Sequence, residues 1–241
     1  VLTFTLDGAA DAPAAPPPPP AVLPVVDVTT LDWDAVRAAA DPAAVRARAA
    51  AIVERATARL DRAGGPELLF DDWRAAPDDR ALHVRTLDDA PLWFVGDLHG
   101  DLLALEAALA LAHADAAPDA APPRLVFLGD LFDDGGHGLE VLLRVLELVA
   151  DAPATTCVLA GNHDEALAWD GARFSASVAP SDLADRLNAD GDETATRAGA
   201  LAVRLFAAAP RALFLPDGLL VSHGGFPLVD LHAELEATEN W

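Results

Sequence analysis

The sequence contains no lysine, methionine or tyrosine and only one cysteine. A single cysteine excludes an intramolecular disulfide framework, and the apolar context TTCVLA predicts that Cys157 is a buried structural thiol. All 16 bases are arginine and stand against 39 acids, which gives a formal net charge of -23. A surface of this charge repels nucleic acid and anionic membranes, so we expect neither as a partner.

Long apolar stretches and targeting signals are also scarce. No run reaches the roughly 18 uncharged apolar residues that predict a membrane-spanning helix. The N-terminal residues lack the basic region and the continuous apolar region of a signal peptide. We therefore expect a cytoplasmic protein. The last residues, DLHAELEATENW, have a helical pattern that stops in mid-course, so we expect a further C-terminal portion beyond Trp241.

The chain divides into three predicted segments. Residues 1–30 contain a proline-dense tract at 12–24 and are predicted to be extended, because consecutive prolines exclude helix and sheet. Residues 31–90 are predicted to form an N-terminal helical segment, since an Asp-Pro pair at Asp41 begins a strongly patterned helix. Residues 91–241 are predicted to form the main domain.

Within the main domain, short apolar runs alternate with longer helical patterns. In chain order the segments are PLWFVG, LLALEAALALAHA, RLVFLG, GLEVLLRVLELVA and TTCVLAG. This alternation is typical of βαβ units with a parallel sheet, so the sequence predicts an α/β fold. Further along, PDG between two apolar runs in RALFLPDGLLVSHGG predicts a hairpin.

Polar clusters follow each of the first three predicted strands, and a histidine follows the hairpin. The residues are Asp97, His99 and Asp101; Asp130, Asp133 and Asp134; Asn162, His163, Asp164 and Glu165; and His223. Because the carboxyl ends of parallel strands meet at one edge of a sheet, we expect these clusters to share one pocket. Carboxylate, imidazole and amide ligands without thiolate suit Mn²⁺, Fe²⁺ or Zn²⁺.

The blocks GDLHG, GDLFD, GNHD and HGG, in this order, resemble the signature of the calcineurin-like metallophosphoesterases. The longer block LPDGLLVSHGG looks closest to the serine/threonine phosphoprotein phosphatase branch. The resemblance covers residues 91 to 227. It implies a four-layer αββα sandwich, to which residues 31–90 would add a helical appendage.

The resemblance also implies two divalent metal ions, with manganese expected and iron or zinc as alternatives. It assigns Asp97, His99 and Asp130 to the first ion, and it assigns Asp130, Asn162 and His223 to the second. His163 would protonate the leaving oxygen, and Asp133 would orient His163. The implied reaction is hydrolysis of a phosphomonoester by in-line attack of a metal-bridging hydroxide, and a phosphorylated protein or small molecule is the implied substrate.

The sequence departs from the phosphoprotein phosphatase pattern in three ways. Asp134 stands where that branch has a phosphate-binding arginine, GNHD replaces GNHE, and the chain ends before a further metal-binding histidine, since His232 lies too close to His223. Other arginines could bind the phosphate, and the sequence does not rank them: Arg173, Arg186, Arg197, Arg204 and Arg211. Two other functions stay open, namely hydrolysis of nucleotides or dinucleoside polyphosphates and a non-catalytic scaffold that retains the fold.

Overall fold

The computed structural model describes residues 27–114, 121–189 and 191–225. The helices are α1 (Trp33–Ala39), α2 (Pro42–Ala47), α3 (Ala49–Leu60), α4 (Leu102–Ala114), α5 (Gly138–Asp151), α6 (Asn162–Ala166), α7 (Asp182–Ala189) and α8 (Glu193–Ala208). The strands are β1 (Ala81–His83), β2 (Leu92–Val95), β3 (Arg124–Phe127), β4 (Thr156–Val158), β5 (Leu167–Trp169), β6 (Phe174–Ala176), β7 (Ala212–Phe214) and β8 (Leu220–Ser222). None of the described helices has the length and apolar character that spanning a bilayer requires.

The first sheet has the order β2-β3-β4, and both of its strand pairs are parallel. Helices α4 and α5 connect these strands, as the alternation of apolar runs and helical patterns predicts. Along β3 the side chains alternate between two cores, with Leu125 and Phe127 toward the helices and Val126 toward the other face. Strands β3 and β4 are therefore buried on both faces, which explains why they lie in continuous apolar runs, whereas Phe94 of β2 is 39% exposed.

The second sheet packs against the face of the first that lies away from the helices. Its order is β1-β7-β8, in which β1 and β7 are parallel and β7 and β8 form the predicted antiparallel hairpin. Val126 and Cys157 of the first sheet share a core with Leu82, Leu213 and Val221 of the second. The described residues thus supply three layers in the order helix, sheet, sheet, and the predicted α/β class is confirmed.

The lone cysteine lies between the two sheets. Its side chain is buried, and burial raises the pKa of Cys157 above the ordinary value of a thiol. A neutral, buried thiol is a poor nucleophile and a poor metal ligand. The prediction of a structural cysteine is confirmed.

The N-terminal helices belong to the same core as the main domain. Ile52, Val53 and Ala56 of α3 are buried against α5 and α8. The predicted helix starts at Pro42, where the Asp41 side chain accepts the N–H of Ala43, but the chain leaves the helical conformation between α2 and α3. Strand β1 also lies in this part of the chain. The boundary at residue 91 stays a prediction, and the proline tract lies outside the described residues.

A buried carboxylate ties three helices together. Glu140 of α5 is fully buried and accepts hydrogen bonds at 2.9 and 3.0 Å from Arg186 of α7, and it also accepts one from Arg46 of α2. Burial disfavours the charged form, but the bonds from Arg186, from the backbone and from Arg46 outweigh it. The pKa of Glu140 is therefore below its ordinary value.

We expect Glu140→Gln to lower the free energy of unfolding at pH 7 by roughly 2 to 3 kcal/mol, because it removes the shared counterion of two guanidinium groups. Denaturant unfolding measures the change. The control is Asp151→Asn on the same helix, which breaks the exposed pair with Arg55 and should cost about 0.5 kcal/mol. Equal losses in the two variants would contradict this role of Glu140.

The hydrogen bonds from Arg46 and Arg186 to Glu140 also make the stability of the protein depend on pH. A carboxyl group whose pKa is lowered by folding stabilises the protein above its unfolded pKa, here an ordinary 4.5, and loses that contribution as the pH falls through the folded pKa. The difference in unfolding free energy between the wild type and Glu140→Gln should therefore shrink as the pH falls from 4.5 through the lower, folded pKa of Glu140. A difference that grows on acidification would exclude this linkage.

Candidate active site

The polar clusters of the sequence meet at the carboxyl edge of the first sheet. Asp97 and His99 follow β2, Asp130 follows β3, and Asn162 follows β4. The backbone is left-handed at His99 and at Asp130, with φ values of 44° and 50°. Non-glycine residues adopt this region at a cost in free energy and are concentrated at functional sites. The strands therefore deliver their polar residues through sharp, strained turns.

Three of these side chains form a group that could hold a metal ion. One ligand atom each from Asp97, His99 and Asp130 lies within 4.8 Å of the others. The Nε2 atom of His99 is 3.8 Å from Oδ2 of Asp130. Asp130 is buried, whereas 54% of the Asp97 side chain is exposed. The group is thus closed on the Asp130 side and open to solvent on the Asp97 side.

His223, which follows β8 in the second sheet, reaches the same point. Its Nε2 atom is 3.3 Å from Oδ2 of Asp130 and 3.1 Å from Oδ1 of Asn162. Its Nδ1 atom is 3.6 Å from Oδ1 of Asp97. The structure therefore brings all five sequence-predicted metal ligands together, and Asp130 stands between the two histidines.

The chemistry of the donor set fits divalent ions. Among the described residues, the Nδ1 atoms of His99 and His223 are buried without a hydrogen-bond partner. Unpaired buried polar atoms are rare in proteins, and a bound ion or its water shell is one explanation of them. Oxygen and imidazole donors suit the borderline-hard ions Mn²⁺, Fe²⁺ and Zn²⁺.

Two glycines allow the loop after β3 to approach the loop after β4. A Cβ atom on Gly129 would lie 2.3 Å from the backbone nitrogen of Gly161, and a Cβ atom on Gly161 would lie 2.2 Å from Oδ1 of Asp130. Neither distance is possible for a real side chain. Asp130 and Asn162 therefore lie close together because both loops lack a side chain at the contact.

Asp164 fastens these two loops to each other. Its fully buried carboxylate accepts the backbone N–H groups of Asp130 at 2.7 Å, Leu131 at 3.2 Å and Gly161 at 2.9 Å. Burial raises the pKa of Asp164 to about 6, although these bonds favour the charged form. The sequence placed Asp164 in a polar cluster but gave it no role, since only the folded backbone reveals its partners.

His163 and Asp133 form the predicted histidine–carboxylate pair. Nδ1 of His163 lies 3.2 Å from Oδ2 of Asp133, and both side chains are buried. The backbone N–H of His163 donates to Oδ1 of Asp130 at 2.9 Å. The His163 ring meets the ring of His99 edge to face, with a centroid separation of 5.3 Å. The pair therefore adjoins the candidate metal group.

Asp134 is exposed to solvent. Its φ is 63°, and its backbone N–H donates to Oδ2 of Asp182 at 3.0 Å. Arg186 is the arginine that lines a cleft of about 390 Å³ together with Asp133 and Asp134. Arg204 instead pairs with Asp61, and Arg211 pairs with Glu165.

Several polar residues left out of the predicted site have local partners. Asp101 is an N-terminal cap of α4, because its Oδ1 accepts the N–H of Ala104 at 2.8 Å. His113 contacts the carbonyl oxygen of Leu109, and the His83 ring stacks on Phe214. His232 lies outside the described residues.

Comparison with known proteins gives one family match and two similar proteins. The sequence model of the calcineurin-like phosphoesterase family matches residues 90–241, more than half of the chain. Serine/threonine-protein phosphatase rdgC of Drosophila melanogaster is 40% identical over 72 residues, which cover 30% of this chain and 10% of that protein. A solved protein serine/threonine phosphatase from Saccharomyces cerevisiae, with similarity to human phosphatase PP5, gives a TM-score of 0.44 at 22% identity, over 74% of this chain and 48% of that one. The chain thus spans less than two thirds of the length of either relative.

Proposed function

This chain belongs to the calcineurin-like phosphoesterase family, and from that premise we propose that it hydrolyses phosphomonoesters with two divalent metal ions. The observation that carries the proposal is the group of five donor side chains that includes Asp130. Imidazole and amide groups lie 3.1 to 3.8 Å from one another or from the shared carboxylate. A scaffold without catalysis has no need of a convergent and partly buried donor set.

We assign the ligands as the family resemblance implies. Asp97, His99 and Asp130 would hold one ion, and Asp130, Asn162 and His223 would hold the other. When bound, such ions lower the pKa of a water nucleophile and offset the charge that develops on phosphorus. We propose manganese as the metal, with iron or zinc as alternatives. The protein supplies the fixed positions of the ligands through the Asp164 bonds and the two glycines.

His163 would donate a proton to the leaving oxygen. Its Nδ1 atom faces Asp133, so a proton on Nδ1 is held by the carboxylate and Nε2 is the nitrogen left for the substrate. The edge-to-face contact with His99 supports a role for His163 beside the proposed metal ligands rather than as one of them. A positioned general acid transfers its proton to the leaving oxygen in the transition state. Such a group typically raises the rate by about 10²- to 10⁴-fold.

We propose a phosphorylated protein as the substrate, because rdgC is named a serine/threonine-protein phosphatase. A phosphorylated small molecule is the alternative, and it includes nucleotides and dinucleoside polyphosphates. The charge of -23 supports the prediction that nucleic acid and membranes are not partners. Cytoplasmic location also stays a prediction.

The test uses the full-length protein loaded with Mn²⁺ and an aryl phosphate as substrate. We expect hydrolysis that EDTA removes and that added Mn²⁺ restores. Parallel assays with a phosphopeptide and a dinucleoside polyphosphate then separate the substrate classes. The absence of metal-dependent hydrolysis would refute the proposal, and fewer than one bound ion per chain would favour the scaffold.

A further inference from the structure

The loop that carries Asp133 is held in an unfavourable backbone conformation. Asp133 and Asp134 both have positive φ, 72° and 63°. Two successive non-glycine residues in the left-handed region cost free energy, and they persist only where surrounding contacts hold them. The contacts that hold this loop therefore bear on the position of the Asp133 carboxylate.

The first turn of α7 supplies two such contacts, which run in opposite directions. The N–H of Asp134 donates to Oδ2 of Asp182 at 3.0 Å. In return, the N–H of Leu183 donates to Oδ1 of Asp133 at 2.8 Å. The other oxygen of Asp133 faces Nδ1 of His163 at 3.2 Å. A chain of bonds thus leads from Asp182 through the loop to the imidazole.

We propose that Asp182 is a positioning residue for His163. Its hydrogen bond stabilises the left-handed backbone at Asp134, and that backbone keeps Oδ2 of Asp133 within hydrogen-bond distance of Nδ1 of His163. Asp182 is exposed, and its Oδ2 atom accepts the backbone N–H of Asp134, which is neither a candidate metal ligand nor the proposed acid. This inference rests on the proposed function of His163 as the proton donor.

The inference predicts a specific change in kinetics. Asp182→Ala removes one backbone hydrogen bond and should lower kcat roughly fivefold, the effect of losing one bond of ordinary strength. KM and the affinity for Mn²⁺ should not change, because the ligands keep their own supports. Asp182→Asn should restore most of kcat, since its amide oxygen can accept the same N–H.

The matched control is Asp185→Ala. Asp185 is an exposed acid of the same helix turn, so its removal changes the charge as Asp182→Ala does. Its kcat should equal that of the wild type, and the two alanine variants should have similar unfolding midpoints. Equal losses of kcat in the two variants would show an effect of charge alone and would overturn the proposal.

A double-variant cycle tests the route through Asp133. In the Asp133→Asn background the Asp182→Ala change should have little further effect, because the carboxylate that it positions is gone. Additive losses would overturn the proposal. The proposal would also be overturned if Asp182→Ala impaired KM or metal affinity as much as kcat, because a general disruption of the site affects all three.

A measurement without turnover separates this inference from the proposed function. The ¹⁵N shifts of the His163 ring, assigned with His163→Asn, report which nitrogen carries the proton in the metal-free protein. We expect Nδ1–H in the wild type and a mixture in Asp182→Ala. If the wild type and Asp182→Ala had the same His163 tautomer, the inference would be overturned. If the tautomer changed in Asp182→Ala but the wild type hydrolysed no phosphoester, only the proposed function would be refuted.

Discussion

Replacing Asp130 by asparagine should remove metal binding more severely than any other single ligand change. The Oδ2 atom of Asp130 lies 3.8 Å from His99 and 3.3 Å from His223, so one side chain serves both groups of donors. An amide in its place loses the negative charge that both ions would share. We expect metal affinity to fall by more than about 100-fold, the upper end of the effect of lost outer-shell partners, and turnover to disappear with it.

Elemental analysis after gel filtration and calorimetric titration with Mn²⁺ measure this change. The control is Asp101→Asn, an exposed acid at the same edge of the sheet that caps α4. Asparagine caps helices as well as aspartate does, so metal binding should be unaffected. An Asp130→Asn protein that still binds two ions would show that Asp130 is not the shared ligand.

His163→Asn should leave the metals in place and slow the chemical step. The five candidate ligands do not include the His163 side chain, and the backbone N–H that donates to Asp130 is retained in the variant. We expect kcat to fall by about 10²- to 10⁴-fold, the usual contribution of a positioned general acid. The metal content should stay at the wild-type level.

The loss should depend on the leaving group, which identifies the role. A leaving phenolate with a low pKa needs little protonation, whereas an alkoxide needs it fully. The decrease in kcat should therefore be small for an aryl phosphate with an acidic phenol and large for an alkyl phosphate. His113→Asn on α4 serves as the control. Equal decreases for both substrates would exclude proton donation by His163.

The sequence was informative where a local pattern and a local structure coincide. Strands β3 and β4 are buried on both faces, β2 is partly buried, and all three lie in apolar runs that end at a polar cluster. The parallel order of the strands then brings Asp97, Asp130 and Asn162 to one edge. The α/β class and the convergence of these three residues could be predicted for this reason, whereas the set of five candidate ligands came from the family resemblance.

Other strands have no recognisable pattern in the local sequence. Strand β1 has three residues, and its partner β7 lies about 130 residues further along the chain, since Ala81 pairs with Ala212. The β5–β6 hairpin is equally short. Neither carries enough residues for a period to be recognised, because strand patterns need about four to eight positions. Their formation is decided by tertiary pairing.

The contacts of Asp164 and Asp182 were also beyond prediction. Both side chains bind backbone N–H groups of loops that are 33 to 48 residues away in sequence. Such partners depend on the exact path of the chain, which left-handed turns at Asp130 and Asp134 determine. Residue types alone identify neither.

The two oxygens of Asp130 serve different groups. Oδ2 faces the histidines His99 and His223, while Oδ1 accepts the backbone N–H of His163. The proposed shared ligand and the proposed acid are therefore joined directly by a hydrogen bond. An engineer who alters metal preference by moving this carboxylate would also move the histidine that delivers the proton. Metal choice and leaving-group preference in this protein would have to be redesigned together.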